Sequence, residues 1–164
     1  MTQLEPRAGS PPARRPRILV AGLGNDLMTD DGVGVHLARA LRGRLPKNVK
    51  VVEVGTAVLD AYHLFEKADL VLALDAMQAG GKPGSVYRFR PFDVADKPAS
   101  ASLHEFSFVE VLRLLRKTPR DVVVIGVEPE TIDCGLELTP AVQNSLPQAL
   151  GEIERIIAAW QQPC

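Results

Sequence analysis

The stretch from Arg17 to Leu41, RILVAGLGNDLMTDDGVGVHLARAL, decides how the rest of the chain reads. It opens on the dense apolar run Ile18-Leu19-Val20-Ala21, which suits a strand buried on both faces. Gly22 and Gly24 break that run and permit a tight turn. Val33, Leu37, Ala40 and Leu41 then recur at helical spacing. The unit is strand, glycine turn, acidic loop, helix. Asp30 and Asp31 fall at the start of the helix, at the carboxyl edge of the strands, where α/β sheets place their sites.

A nucleotide-binding turn is excluded. Gly22-Leu23-Gly24 begins a G-x-G-x-x-G, but Leu27 stands at the third glycine and no G-K-[ST] follows. A phosphate site exploits the positive end of a helix, and two carboxylates there repel phosphate and invite a cation. Asp is also a favoured helix cap, and we assign that duty to Asp30 rather than Asp31. Gly22, Gly24 and Gly32 read as turn residues.

Working outward, Val49–Val54 reads as a second strand ended by Gly55, and Leu59, Tyr62, Leu64 and Phe65 form a short apolar helix face. ADLVLAL, residues 68–74, is a third buried strand that ends on Asp75. SVYRFR, residues 85–90, alternates less cleanly and suits a wetter strand near an edge. No helix-sized segment separates it from the third strand, so direct pairing of the two would be antiparallel. Ser102-Leu103-His104-Glu105 matches a capping box opening a helix to about Lys117. DVVVIGV, residues 121–127, is a fifth strand. Thr139 caps the last helix with Pro140 at its first position. Its stripe of Val142, Leu146, Leu150, Ile153, Ile157 and Trp160 is expected to face the core.

The predicted fold is three-layer α/β/α with a mostly parallel five-stranded sheet and one antiparallel strand. A chain of 164 residues fits one domain, residues 17–164, behind a Pro- and Arg-rich leader, residues 1–16, expected to be disordered and lacking the apolar segment of a secretory signal. The net charge of −1 gives no electrostatic case for nucleic acid or an anionic membrane, and no apolar run approaches membrane-spanning length. Cys134 and Cys164 form neither a metal-ligand spacing nor a disulfide framework, which predicts a reduced, cytoplasmic protein.

Three side chains stand out by position. Asp31 follows the first strand, Asp75 ends the third, and His104 opens the helix after the fourth. If the first and third strands are neighbours across a switch point, Asp31 and Asp75 meet. The positive end of a helix dipole favours neutral imidazole at His104, the metal-binding form. Two carboxylates and one imidazole suit a borderline divalent ion such as Ni, Zn or Fe. His36 and His63 read as structural or surface residues, and Asn25 and Thr56 as residues of the same edge.

At these residues the chain resembles the hydrogenase maturation proteases, which process the large subunit of nickel-iron hydrogenases. The motifs that carry the resemblance are ILVAGLGNDLMTDDGVG (18–34), Gly55-Thr56-Ala57, LVLALDAM around Asp75, LHEFSFVEVL around His104, and IGVEPE followed by GLELTPAV. The resemblance implies that Asp31, Asp75 and His104 contact metal and carry the catalysis; some members have Glu at the first position, where this chain has the shorter Asp. It implies an endopeptidase that removes the C-terminal extension of the large-subunit precursor once nickel is inserted. Nickel is then contributed by the substrate, and no stable cofactor of the enzyme's own is expected. The precursor is the expected partner, and the chain is expected to be a monomer. No G-x-S-x-G elbow, H-E-x-x-H helix or flanked catalytic Cys competes, so the chemistry is water attack on a peptide carbonyl, with Asp75 activating or orienting the water. Two alternatives stay open: a non-catalytic nickel-sensing chaperone of the immature subunit, and a protease of the same fold with another substrate.

Overall fold

The computed structural model describes residues 14–92 and 103–162, and the side chains of these except 103–107. The elements run β1 (Ile18–Leu23), a 3-10 turn (Thr29–Gly32), α1 (Val33–Leu41), β2 (Val49–Gly55), a 3-10 turn (Leu59–Ala61), α2 (Tyr62–Lys67), β3 (Leu70–Ala76), β4 (Val86–Phe89), α3 (Leu103–Leu114), β5 (Asp121–Val127) and α4 (Pro140–Gln161). The sheet order is β2-β1-β3-β5-β4, with β4 antiparallel to β5 and the other neighbours parallel.

The three central strands are buried along their whole length, which is why they read as continuous apolar runs. Side chains alternate between the two faces of each strand, and each face has its own core. On one face Ile18, Val20, Leu72, Leu74 and Ile125 pack with Leu37 and Leu41 of α1 and Ile153 and Ile157 of α4. On the other, Leu19, Ala21, Val71, Ala73 and Val124 pack with Phe65 of α2 and Phe108 and Leu112 of α3. The Phe65 and Phe108 rings meet edge to face at 5.5 Å and join the two helices. The result is the three-layer α/β/α architecture that the alternation of strands and helices predicts.

The structure amends several local expectations. β4 pairs with β5 and not with β3, in register from Val86↔Val127 to Phe89↔Val124. Two ion pairs hold this edge: Arg90 grips Asp121 through two 2.8 Å bonds, and Arg88 reaches Glu152 of α4 at 3.3 Å. The buried face of α4 is rotated from the predicted stripe. Val142, Ser145, Ala149, Glu152, Ile153 and Ile157 are buried, and Leu146, Leu150 and Trp160 are half-buried shoulders against the same core. Leu59 is exposed and not part of a buried helix face. Ser102 and the side chain of Glu105, the two halves of the capping box, lie outside the described residues, as do residues 1–13 of the leader and Cys164. Arg14, assigned with the leader, forms a 3.0 Å ion pair with Asp69 at the start of β3.

Candidate active site

The chain leaves β1 for β2 on one side and then crosses back to β3 on the other, so the carboxyl ends of β1 and β3 flank the switch point of the sheet. Their register, Gly22↔Leu74, brings the end of β1 level with Asp75. Close packing completes the placement. A Cβ at Gly34, in the first turn of α1, would lie 2.1 Å from the Leu74 carbonyl oxygen and 2.5 Å from that of Leu23. The helix therefore sits directly on the strand ends, and only glycine permits this. Gly22 belongs to β1 and not to the turn; a Cβ there would meet the Gly34 carbonyl oxygen at 2.5 Å, so it is the strand's half of the same contact.

Gly24 is the turn itself, at φ +101, with its N–H donating to the Gly55 carbonyl at 3.1 Å. A Cβ at Gly24 would stand 2.0 Å from the Asp31 carbonyl oxygen and 3.3 Å from Asp75 Oδ1. The glycine thus marks the point around which the Asp31 backbone and the Asp75 carboxylate gather. The Asn25 N–H donates to Asp31 Oδ2 at 2.9 Å, and the Ala76 N–H donates to Asp75 Oδ1 at 2.8 Å. Both acids are buried, at 7% and 3% exposure. Backbone donors favour the charged form of a carboxylate, which offsets part of the cost of holding two of them in one cleft. Asn25 Oδ1 accepts from the Leu27 N–H at 3.0 Å, an Asx turn that closes the loop between Gly24 and Asp31. Thr56, at the end of β2, is exposed on the same edge.

His104 is the second residue of α3, and its side chain lies outside the described residues. Among the described residues no group of three His, Cys, Asp or Glu side chains is arranged to hold a metal ion. The described part of the site therefore comprises the two buried acids Asp31 and Asp75. His36 and His63 stand on α1 and α2, with His36 half-buried and His63 exposed.

Two residues matter that sequence reasoning missed or misassigned. Asp30 is fully buried and does not cap its own helix. Its Oδ2 accepts from the Glu130 N–H at 2.9 Å, the Thr131 N–H at 3.1 Å and the Thr139 hydroxyl at 2.8 Å, and its Oδ1 accepts from the Thr139 N–H at 2.8 Å. It clamps the turn that carries Asp31 to the loop before α4. Thr139 is the N-cap residue of α4, yet its side chain makes no bond to the helix amides; its hydroxyl is turned to Asp30. The second residue is Glu128, within the IGVEPE motif. Its Oε2 accepts from the Ala79 N–H at 2.9 Å and from the Tyr87 hydroxyl at 2.8 Å. Burial, reinforced by that carboxylate, pushes the Tyr87 hydroxyl above its ordinary pKa. Together with the Met77 N–H to Val127 carbonyl bond at 2.9 Å, Glu128 pins the segment that follows Asp75 to the end of β5.

These features define a doubly wound α/β protein whose switch-point cleft is acidic where a nucleotide-binding protein would have a phosphate cradle. Comparison with known proteins carries the assignment further. The hydrogenase maturation protease family model matches residues 35–156, a span that includes Asp75 and His104 and begins just after Asp31. The chain is 33% identical over 152 residues to the hydrogenase expression/formation protein HupD of Bradyrhizobium diazoefficiens, covering 88% of this chain and 79% of that protein. It is 33% identical over 156 residues to the hydrogenase 2 maturation protease of Escherichia coli, covering 89% and 92%. The solved structure of the hydrogenase maturating endopeptidase HybD from Escherichia coli superposes with a TM-score of 0.78 at 30% identity, covering 87% of this chain and 92% of that one. The [NiFe] hydrogenase maturation protease HybD from Thermococcus kodakarensis gives 0.73 at 27% identity, covering 85% and 98%. The chain belongs to the hydrogenase maturation protease family and is a peptide hydrolase.

Proposed function

We propose that this enzyme removes the C-terminal extension of a nickel-iron hydrogenase large-subunit precursor, and that Asp31, Asp75 and His104 meet nickel carried by that precursor. The observation that carries the reading is the placement of two buried acids at the switch point, with Asp75 Oδ1 and the Asp31 backbone around Gly24 and the Asp31 carboxylate on the adjoining Asn25 N–H. Carboxylates buried at one cleft are suitable oxygen donors for a borderline divalent ion. A substrate that arrives with its own divalent ion supplies the cation, so the loaded precursor binds better than the empty one.

Hydrolysis then needs a positioned water and a polarised carbonyl. Asp75 takes a proton from the water as its oxygen attacks the carbonyl carbon, and returns it to the amine as the C–N bond breaks. The bound nickel polarises the carbonyl and sets the scissile bond at a fixed place relative to Asp75. His104 serves as a further nickel contact; the reading takes its support from the position of His104 at the start of α3. The reaction requires no resident cofactor. We place the enzyme in the cytoplasm as a monomer; the free thiol of Cys134, exposed on the surface, accords with a reducing compartment. Among the described residues no helix is long and apolar enough to cross a membrane.

The test is cleavage of purified precursor with and without nickel, read by the mass of the large subunit. Cleavage of the loaded precursor alone is expected. Asp75→Asn should keep the fold and lose cleavage, and His104→Ala should mainly weaken docking. Equal cleavage of metal-free precursor would overturn the nickel reading, and full activity in Asp75→Asn would overturn the catalytic role.

A further inference from the structure

The turn that carries Asp31 and the loop before α4 form one stitched surface. Gly135 N–H donates to the Leu27 carbonyl at 2.9 Å and Thr29 N–H donates to the Gly135 carbonyl at 2.8 Å, which makes a parallel bridge between Met28 and Gly135. Thr29 Oγ1 donates to the Thr131 carbonyl at 2.7 Å and accepts from the Asp133 N–H at 3.0 Å. Asp30 adds its four bonds from beneath. Thr29 is held at φ +44, a conformation that costs a β-branched residue energy and persists only where its surroundings impose it.

This rigid backbone presents large apolar side chains to solvent. Leu27 is 61% exposed, Ile132 40% and Leu136 68%. Interleaved with them on the same loop are the exposed acids Glu130, Asp133 and Glu137. Clustered exposed apolar groups with a polar rim mark a binding surface. A fixed backbone lowers the ordering cost of binding. The signs of the rim weigh against one occupant. An isologous contact centred on this patch would bring Glu130, Asp133 and Glu137 of both copies into one acidic region, which is repulsive. The complement is an apolar segment flanked by Lys or Arg.

We propose that the surface carried by residues 27–29 and 130–137 docks an apolar, Lys- or Arg-flanked segment of the protein substrate next to the cleft. The inference rests on the substrate reading above, and it adds the region of the enzyme that selects the precursor. Asp31 shares its turn with Thr29 and Asp30, so a segment seated here lies next to the cleft. Docking therefore acts on precursor affinity, and the chemical step is left to the cleft itself.

The experiment measures initial rates of cleavage over a range of nickel-loaded precursor concentrations, with the full chain. The double variant Leu27→Asp, Leu136→Asp is expected to raise KM about tenfold and leave kcat within about twofold. Leu114→Asp, at an equally exposed site at the end of α3, is the control and should match the wild type. The triple variant Glu130→Gln, Asp133→Asn, Glu137→Gln alters only exposed charges and keeps the test independent of folding. In the wild type KM should rise with salt, and in the triple variant it should start higher and respond less to salt. An unchanged KM in both the double and the triple variants overturns the proposal, as does a fall in kcat at constant KM. A wild type that is dimeric by light scattering and becomes monomeric in the double variant overturns it in favour of self-association. A wild type that leaves the loaded precursor uncut overturns the substrate reading, and this inference with it. Active variants of wild-type KM overturn the docking surface alone.

Discussion

Replacing Asp30 by Asn tests whether the clamp beneath the active turn is worth what its geometry implies. The side chain is fully buried and accepts four hydrogen bonds, three at Oδ2 and one at Oδ1. Asn has the same shape but only one acceptor oxygen. Its best orientation keeps that oxygen toward Glu130, Thr131 and the Thr139 hydroxyl, and turns the NH2 group against the Thr139 N–H, donor to donor. One bond is then lost and three become neutral. A bond to a charged group contributes ~1.5–3 kcal/mol and a neutral one ~0.5–1.5 kcal/mol, so the three weakened bonds cost ~3 kcal/mol together, before the orphaned N–H is counted. The partners are partly solvated, which holds the expected total at ~3–5 kcal/mol. For a chain of this length ~1 kcal/mol moves Tm by roughly 2–4 °C, so a drop on the order of 10 °C is expected in thermal unfolding followed by circular dichroism. A double-mutant cycle with Thr139→Val should give a coupling above ~0.5 kcal/mol, because the hydroxyl and the carboxylate are direct partners. A shift below about 3 °C with no coupling would refute the clamp.

Gly34→Ala should be severely destabilising or insoluble, since its Cβ would stand 2.1 Å from the Leu74 carbonyl oxygen; a soluble variant with wild-type Tm would mean that α1 can lift from the strands at no cost. Ile153→Ala should cost ~2–5 kcal/mol by urea unfolding and the half-buried Leu150→Ala clearly less; the reverse order would put the buried face of α4 elsewhere. Burial works to raise the Asp69 pKa, but the Arg17 N–H at 2.6 Å and the Arg14 and Arg17 guanidinium groups outweigh it and hold the carboxyl below its ordinary range. A depressed folded pKa means that this contribution is present above about pH 4 and is lost as pH falls through the lower folded value. Asp69→Asn should therefore remove part of the stability loss seen between about pH 4 and pH 2, and an unchanged acid profile would show that the pairing contributes nothing.

The sequence by itself determined whatever depends on short range. Ile18–Ala21, Leu70–Leu74 and Val122–Val127 are apolar on both faces of a strand, so their burial between two helical layers is legible from composition. The strand-to-helix turn at Gly24 is legible too, because its positive φ is a local backbone requirement; the need for glycine at Gly34 is not, since the atom it must approach is the Leu74 carbonyl of β3. The acidic switch-point edge followed from the order of those elements, and family motifs at Asp31, Asp75 and His104 supplied candidate roles that neither spacing nor periodicity carries. Tertiary structure alone decided the rest. β4 chooses β5 over β3, a choice held by Arg90 with Asp121 and by Arg88 with Glu152, partners 31 and 64 residues apart. The phase of α4 is set by which side chains fit the sheet, and Ser145 and Glu152 are drawn inside where a hydropathy stripe runs through Leu146 and Leu150. Asp30 reads as a local cap in the sequence because Asp is a favoured residue at a helix start. Its four donors lie 100 to 109 residues away, and hydrogen bonds across that separation leave no periodic trace in the chain that makes them.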